Sequence, residues 1–151
     1  MKKRGFTIIE MVVVVLILII ISIAAVWGSK PVNTKAELAN VESELKAVRT
    51  GVIRINSDYN NGVIDEYTSG EHYNTTIVED DGKAWYVIYG IGNSNCNEEI
   101  LDNLGVSDLK RDYKVNYETL DVEFLNGPVT VGEYKINSYE DMQTLIESGV
   151  I

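Results

Sequence analysis

Apolar and polar positions divide the chain into three stretches with different periodicities. From Met11 to Trp27 the sequence reads MVVVVLILIIISIAAVW, 17 residues without a charge, in which Ser22 is the only polar side chain. Counted from Phe6 to Gly28, the stretch holds 23 residues, which as a helix measures about 35 Å. That is long enough to cross a hydrocarbon core of roughly 30 Å. The second stretch places Leu38, Val41, Leu45, Val48, Val52, Ile55 and Tyr59 at alternating spacings of three and four, a single helical stripe. Lys35, Glu42, Lys46, Arg49 and Arg54 lie on its other side, with Glu42 and Lys46 forming an i,i+4 pair. Thr34-Lys35-Ala36-Glu37 matches a capping box at the start of this helix. Pro31 removes a helical hydrogen bond and disfavours helix in the residue before it, so a break or kink is expected between Gly28 and Val32. Asn60-Asn61-Gly62 ends the helix. Three heptads are too few to favour a coiled coil over packing on a sheet.

The third stretch, residues 60–151, mixes short periods. Thr75–Glu79 and Lys83–Ile91 read as strands around the Asp80-Asp81-Gly82 hairpin signal. Trp85, Val87 and Tyr89 alternate with Tyr86 and Ile88, the pattern of a strand covered on both faces. Glu98–Leu104 reads as a short helix stopped by Gly105. Tyr113, Val115 and Tyr117 alternate with polar residues, as do Leu120, Val122 and Phe124, giving two more antiparallel strands. Asn126-Gly127-Pro128 is a turn, and Glu133–Ile136 a last strand. Ser138 then caps a terminal helix with Met142, Leu145 and Ile146 inward and Gly149 behind it. The expected fold class is α+β: a long amino-terminal helix, apolar in its first half and amphipathic in its outer half, packed on a small antiparallel sheet head with a short carboxy-terminal helix.

Charge sharpens the picture at the amino terminus. Lys2, Lys3 and Arg4 precede the apolar run and should stay in the cytoplasm, which places the residues from about Ser29 outside. The formal net charge is −10; without those three the chain has ten bases against 23 acids. Such a surface argues against non-specific binding to nucleic acid or anionic lipid. An ordinary secretory signal would have a shorter apolar region, although Val26-Trp27-Gly28 offers a weak cleavage site. Neither a signal peptide nor a plain anchor accounts for Glu10, a carboxylate set among apolar residues, where a charge normally marks a partner charge.

Gly5-Phe6-Thr7-Ile8-Ile9-Glu10, after a short basic leader and before a long apolar helix, resembles the processing motif of type IV prepilins and pseudopilins. The resemblance implies a peptidase cut after Gly5 and methylation of the new amino-terminal Phe6. It also implies a pairing of Glu10 with the terminal amine of a neighbouring subunit during assembly. Its domain plan would be a leader over residues 1–5, a transmembrane and filament-core helix over 6–28, the outer half of the stalk over 29–59 and a globular head over 60–151. The function implied is that of a structural subunit of a type IV pilus (fimbrium), major or minor, serving motility, adhesion or biofilm formation; a type II secretion or competence pseudopilin is the alternative. The partners implied are other pilin subunits, the prepilin peptidase, a membrane-embedded assembly machinery and the membrane itself, with no nucleic acid. A monomeric membrane-anchored or secreted binding domain is the alternative from another class.

The chain departs from the family in two places. Many members have a proline deep in the helix, near where Trp27 stands here. Many also tie their carboxy-terminal region with a disulfide, which Cys96, the one cysteine, cannot form within the chain. The terminal helix is expected to replace it.

Other chemistry is thinly supported. His72 and Cys96 lie 24 residues apart in no catalytic pattern. No enzyme and no catalytic residue is expected. The acidic loops Asp58–Glu66 and Glu79–Asp81 could supply oxygens to calcium. An EF-hand centred on Gly62 would need acidic or amide residues at Ser57, Tyr59 and Asn61, and only Asn61 qualifies; no metal ligand or cofactor is assigned. Lys110, Arg111 and Lys114 form a small basic cluster interrupted by Asp108 and Asp112.

Overall fold

The three-and-four stripe folds as expected, on a helix that runs unbroken into the apolar stretch before it. In the computed structural model, residues 8–67 and 77–151 are described; within them, the side chains of Ile8, Glu10, residues 20–32, Ile77 and Val78 fall outside the description. Helix α1 runs Ile8–Asn60. It does not break at Gly28–Val32, and its backbone stays helical through Pro31. A proline costs its own missing hydrogen bond and a local clash, while helical turns on both sides are already propagating at no further nucleation cost. For the same reason Thr34-Lys35-Ala36-Glu37 caps nothing. It lies within the helix, where the amides a cap would serve face carbonyls one turn earlier.

The chain divides into two units, Met1–Ala36 and Glu37–Ile151. In the first, the described side chains from Met11 to Ile19 are all apolar. In the second, α1 contributes Leu38, Val41, Leu45, Val48, Val52 and Ile55 to one core, each under a tenth exposed. At about 2 kcal/mol per buried aliphatic side chain, this stripe contributes on the order of 10 kcal/mol. Tyr59, the last position of the stripe, leaves the core and instead lays its ring 4.3 Å from that of Tyr67. The helix closes at Gly62, whose φ of 69° allows Val63 N–H to reach Asp58 O (2.8 Å) and Gly62 N–H to reach Tyr59 O (3.0 Å), a Schellman ending.

The sheet is a meander. Strands β1 (Ile77–Asp80), β2 (Lys83–Ile88), β3 (Tyr113–Asn116) and β4 (Asp121–Phe124) pair antiparallel in chain order. Thr75 and Thr76, expected at the start of β1, lie outside the described residues. Asp81 and Gly82, with φ of 51° and 74°, form the two-residue turn that brings Asp80 opposite Lys83. Trp85 and Val87 are buried and so is Ile88 on the opposite side, so β2 is covered on both faces. It ends at Ile88 rather than Ile91, because Asp112 Oδ1 accepts the Gly90 N–H at 2.9 Å and Ile91 N–H turns to Leu109 O. Leu120 is not in a strand; with a φ of 63° it closes the β3–β4 turn. That turn is held by Asn116, a buried polar residue whose Oδ1 accepts from Glu118 N–H (2.9 Å) and Thr119 N–H (3.0 Å).

Helix α2 (Glu98–Leu104) and helix α3 (Tyr139–Glu147) form where the capping signals place them. Ser138 and Asp141 form a reciprocal capping box. Met142 is fully buried, while Leu145 and Ile146 pack half-buried at the margin of the core. Strand β6 (Tyr134–Ile136) has a partner that the sequence reading lacks, β5 (Val129–Val131), and together they make a separate two-stranded sheet.

One carboxylate ties α1 to the segment before β3. Glu44 accepts from the Lys110 backbone N–H at 2.6 Å, from Arg111 Nη1 at 2.6 Å and from the Tyr113 hydroxyl at 3.0 Å. Burial, followed by the Glu44 charge, pushes the Tyr113 hydroxyl far above the ordinary tyrosine range, so it remains a donor at any physiological pH. Glu44→Ala is expected to cost about 2–4 kcal/mol, since it orphans three donors, one of them a partly buried cation. Tyr113→Phe should cost only about 1 kcal/mol. Urea unfolding of the detergent-solubilised chain, followed by tryptophan fluorescence, measures both. Equal losses in the two variants would contradict the shared-acceptor reading.

Candidate assembly and processing segment

The amino-terminal segment combines an apolar helix with a charge pattern. Lys2, Lys3, Arg4, Gly5 and Phe6 lie outside the described residues. Glu10 lies in the first turns of α1, and its side chain is outside the description. Beyond it, Ile9 is 75 % exposed, and each residue from Met11 to Ile19 is between 47 % and 62 % exposed. Consecutive helical residues step by about 100° around the axis, so these nine positions present apolar surface in every direction. A helix apolar all round belongs inside a protein core, a bundle or a membrane. Within the described residues, no helix is long and apolar enough to cross a membrane; in the sequence the uncharged run continues to Trp27.

Elsewhere the candidate chemistry is absorbed by the head. Cys96 is a half-buried free thiol. Burial, then Glu98 and Asp112, raise its pKa, the opposite of what an activated nucleophile requires. His72 lies outside the described residues. The basic cluster is largely consumed within the head: Arg111 pairs with Glu44 at 2.6 Å, and Lys114 Nζ lies 3.1 Å from both Asp80 Oδ2 and Glu123 Oε2. Lys114 also sits 4.7 Å from the centre of the Trp85 ring. Desolvation pulls its pKa down, but the two carboxylates outweigh it, and the net shift is upward. The same pattern holds on α1, where Arg49 stacks on Tyr139 with its guanidinium carbon 4.3 Å from the ring centre and Arg54 Nη2 donates to Asn103 O. Among the described residues no three histidine, cysteine, aspartate or glutamate side chains gather where they could hold a metal ion.

The structural residues that sequence reasoning missed are Glu44 and Gly51. Glu44 lies on the polar side of α1 and looks solvated in the sequence. Its signal was weak: an acid one turn before Val48, matched by a distant Lys-Arg pair. A Cβ at Gly51 would lie 2.3 Å from the Leu104 carbonyl oxygen, so this glycine lets the end of α2 touch α1.

Residues 1–26 match the family described as the prokaryotic N-terminal methylation motif. This is the type IV prepilin signature, and it marks pilin-like structural proteins. No curated protein and no solved structure was found to match the chain.

Proposed function

We propose that this chain is the subunit of a type IV pilin-like filament, made as a membrane-anchored precursor, cut after Gly5 and polymerised through α1. The observation that carries the reading is the coincidence of two features: the methylation motif over residues 1–26 and, within that same span, a helical stretch from Met11 to Ile19 whose apolar side chains face every direction. Leaving nine half-exposed aliphatic residues in water would forfeit on the order of 10 kcal/mol. Lipid before assembly, and the apolar helices of neighbouring subunits after it, would each recover that energy.

Each residue then has a role. Lys2, Lys3 and Arg4 hold the leader on the cytoplasmic side. Gly5 is the cut-site residue, small enough for a peptidase to approach its backbone closely. Phe6 becomes the methylated terminus. Glu10, a little over one turn further along, neutralises the terminal amine of the next subunit, because either charge alone would be penalised in a low-dielectric bundle. The partners are the prepilin peptidase, the assembly machinery and further pilin subunits. The head, residues 60–151 with the outer half of the stalk, forms the filament surface.

The decisive experiment is the mass of the amino-terminal peptide of the protein from its own cells. The expected chain starts at N-methylated Phe6, and Gly5→Leu should leave the precursor uncut on a gel. A chain starting at Met1, or after Gly28, would overturn the proposal in favour of an anchor or a secreted domain. Subunit abundance in sheared filaments then separates a major pilin from a minor pilin or pseudopilin.

A further inference from the structure

Two Asn-Gly pairs lie on the head, and their surroundings differ. Asn61-Gly62 is locked into the end of α1. Asn61 N–H donates to Ser57 O at 3.0 Å, Gly62 N–H donates to Tyr59 O at 3.0 Å, and Asn61 Nδ2 lies 3.3 Å from Ser57 Oγ. Asn126-Gly127 sits in the exposed turn between β4 and β5, with Gly127 at a φ of 87°. Among the described residues, neither the Gly127 N–H nor the Asn126 side chain has a hydrogen-bond partner. The neighbouring Leu125 N–H is tied to Asp112 O at 3.0 Å, so the chain is anchored just before the pair and free at it.

We propose that Asn126 is a site of spontaneous, structure-gated deamidation, whereas Asn61 is protected. The Gly127 nitrogen attacks Asn126 Cγ and forms a succinimide ring; ammonia leaves, taking the amide proton. Water then opens the ring at either carbonyl, giving aspartate or isoaspartate. Water is the only co-reactant, and no electrons are exchanged. Asparagine is among the chemically labile side chains, and a glycine behind it leaves the attacking nitrogen unhindered by a Cβ. At Asn61 the same attack requires the Gly62 amide to give up its bond to Tyr59 O, and the ring geometry would break the closing turn of α1.

The outcome has a local consequence. Asn126 and Gly127 line a recess with Asn93, Lys110, Arg111 and Asp112. A new carboxylate there would join Asp112 in a recess also lined by Lys110 and by Arg111, which already pairs with Glu44. The isoaspartate product also adds a backbone carbon to the link between β4 and the β5–β6 hairpin.

The test is peptide mapping of the purified full chain, in detergent at neutral pH and 37 °C, over weeks. The expected result is the mass change of NH2 replaced by OH, with isoaspartate, at Asn126 at least about fivefold faster than at Asn61. In denaturant the two sites should convert at similar rates, because both are Asn-Gly. Asn126→Gln should abolish the modified peptide without touching the Asn61 peptide. Conversion at Asn61 as fast as at Asn126 in the folded chain, no conversion at Asn126, or a rate gap that survives denaturation would each overturn the proposal.

Discussion

Glu10→Val is expected to give a subunit that is cut and methylated normally but is left out of filaments. In the proposed processing, cutting depends on the residues around Gly5, whereas Glu10 acts only once the new amine exists. In the proposed bundle, two unit charges about 4 Å apart at an effective dielectric near 20 attract by about 4 kcal/mol. Desolvation takes back part of this, leaving on the order of a hundredfold in incorporation. Glu10→Gln should fall between wild type and Val, since it keeps a hydrogen-bonding group and loses the charge. Immunogold microscopy of sheared filaments, with the membrane pool measured on the same cells, reads the effect. Normal incorporation of the Val variant would leave Glu10 without its assembly role, while the cut after Gly5 could still stand.

The second large effect is expected at Gly51, and two opposing terms decide its sign. Gly51→Ala gains about 1 kcal/mol of helix propensity. Against this, the new Cβ would sit 2.3 Å from Leu104 O and 3.1 Å from Leu104 C and Cα. These are backbone atoms at the end of α2, where Leu101 and Leu104 are both core residues. No side chain can rotate away, so a helix must shift in a close-packed interior. The clash should exceed the gain, with a net loss of about 2–3 kcal/mol. Thr50→Ala, one position earlier on the exposed side, is the control and should stay within about 0.5 kcal/mol of wild type. Thermal unfolding of the chain in detergent measures both, and a stabilised Gly51→Ala would mean that α2 does not press against α1 as described.

The legible parts of this fold are those where one residue pattern answers to one element. The α1 stripe from Leu38 to Ile55 could be read because helical period and burial coincide. The Asp81-Gly82 turn could be read because few residue pairs tolerate its dihedrals. The α3 start could be read because Ser138 and Asp141 satisfy each other's amides. Misreadings came where a local rule met a wider context. Pro31 argued for a break or kink, and of the two the break does not occur, because the turns before and after it are helical and carry the helix through. Tyr59 kept the period of the stripe but packs on the Tyr67 ring rather than in the core. Strand β5 is three residues long, too short to show an alternation. Glu44 and Gly51 were hidden for another reason: their partners, Arg111 and Leu104, are distant in sequence, and no period connects them. Of the candidate segment, the sequence carried the motif from Gly5 to Glu10, and its match over residues 1–26 rests on those same letters.

The meander has a consequence for the order of folding. Each strand of the main sheet pairs with the strand just before it in the chain, and two of the three connections are tight turns at Asp81-Gly82 and Tyr117–Leu120. Little loop entropy is spent before the β1–β2 and β3–β4 pairings are rewarded, while the β2–β3 pairing must close the longer connection that carries α2. A head emerging from a translocation pore would therefore build its sheet strand by strand. The stripe on α1, first out, would wait for the sheet and then close over it. For the exported head proposed above, which has one cysteine and so no disulfide within the chain, a short dwell time with an open hydrophobic face limits aggregation before the core closes.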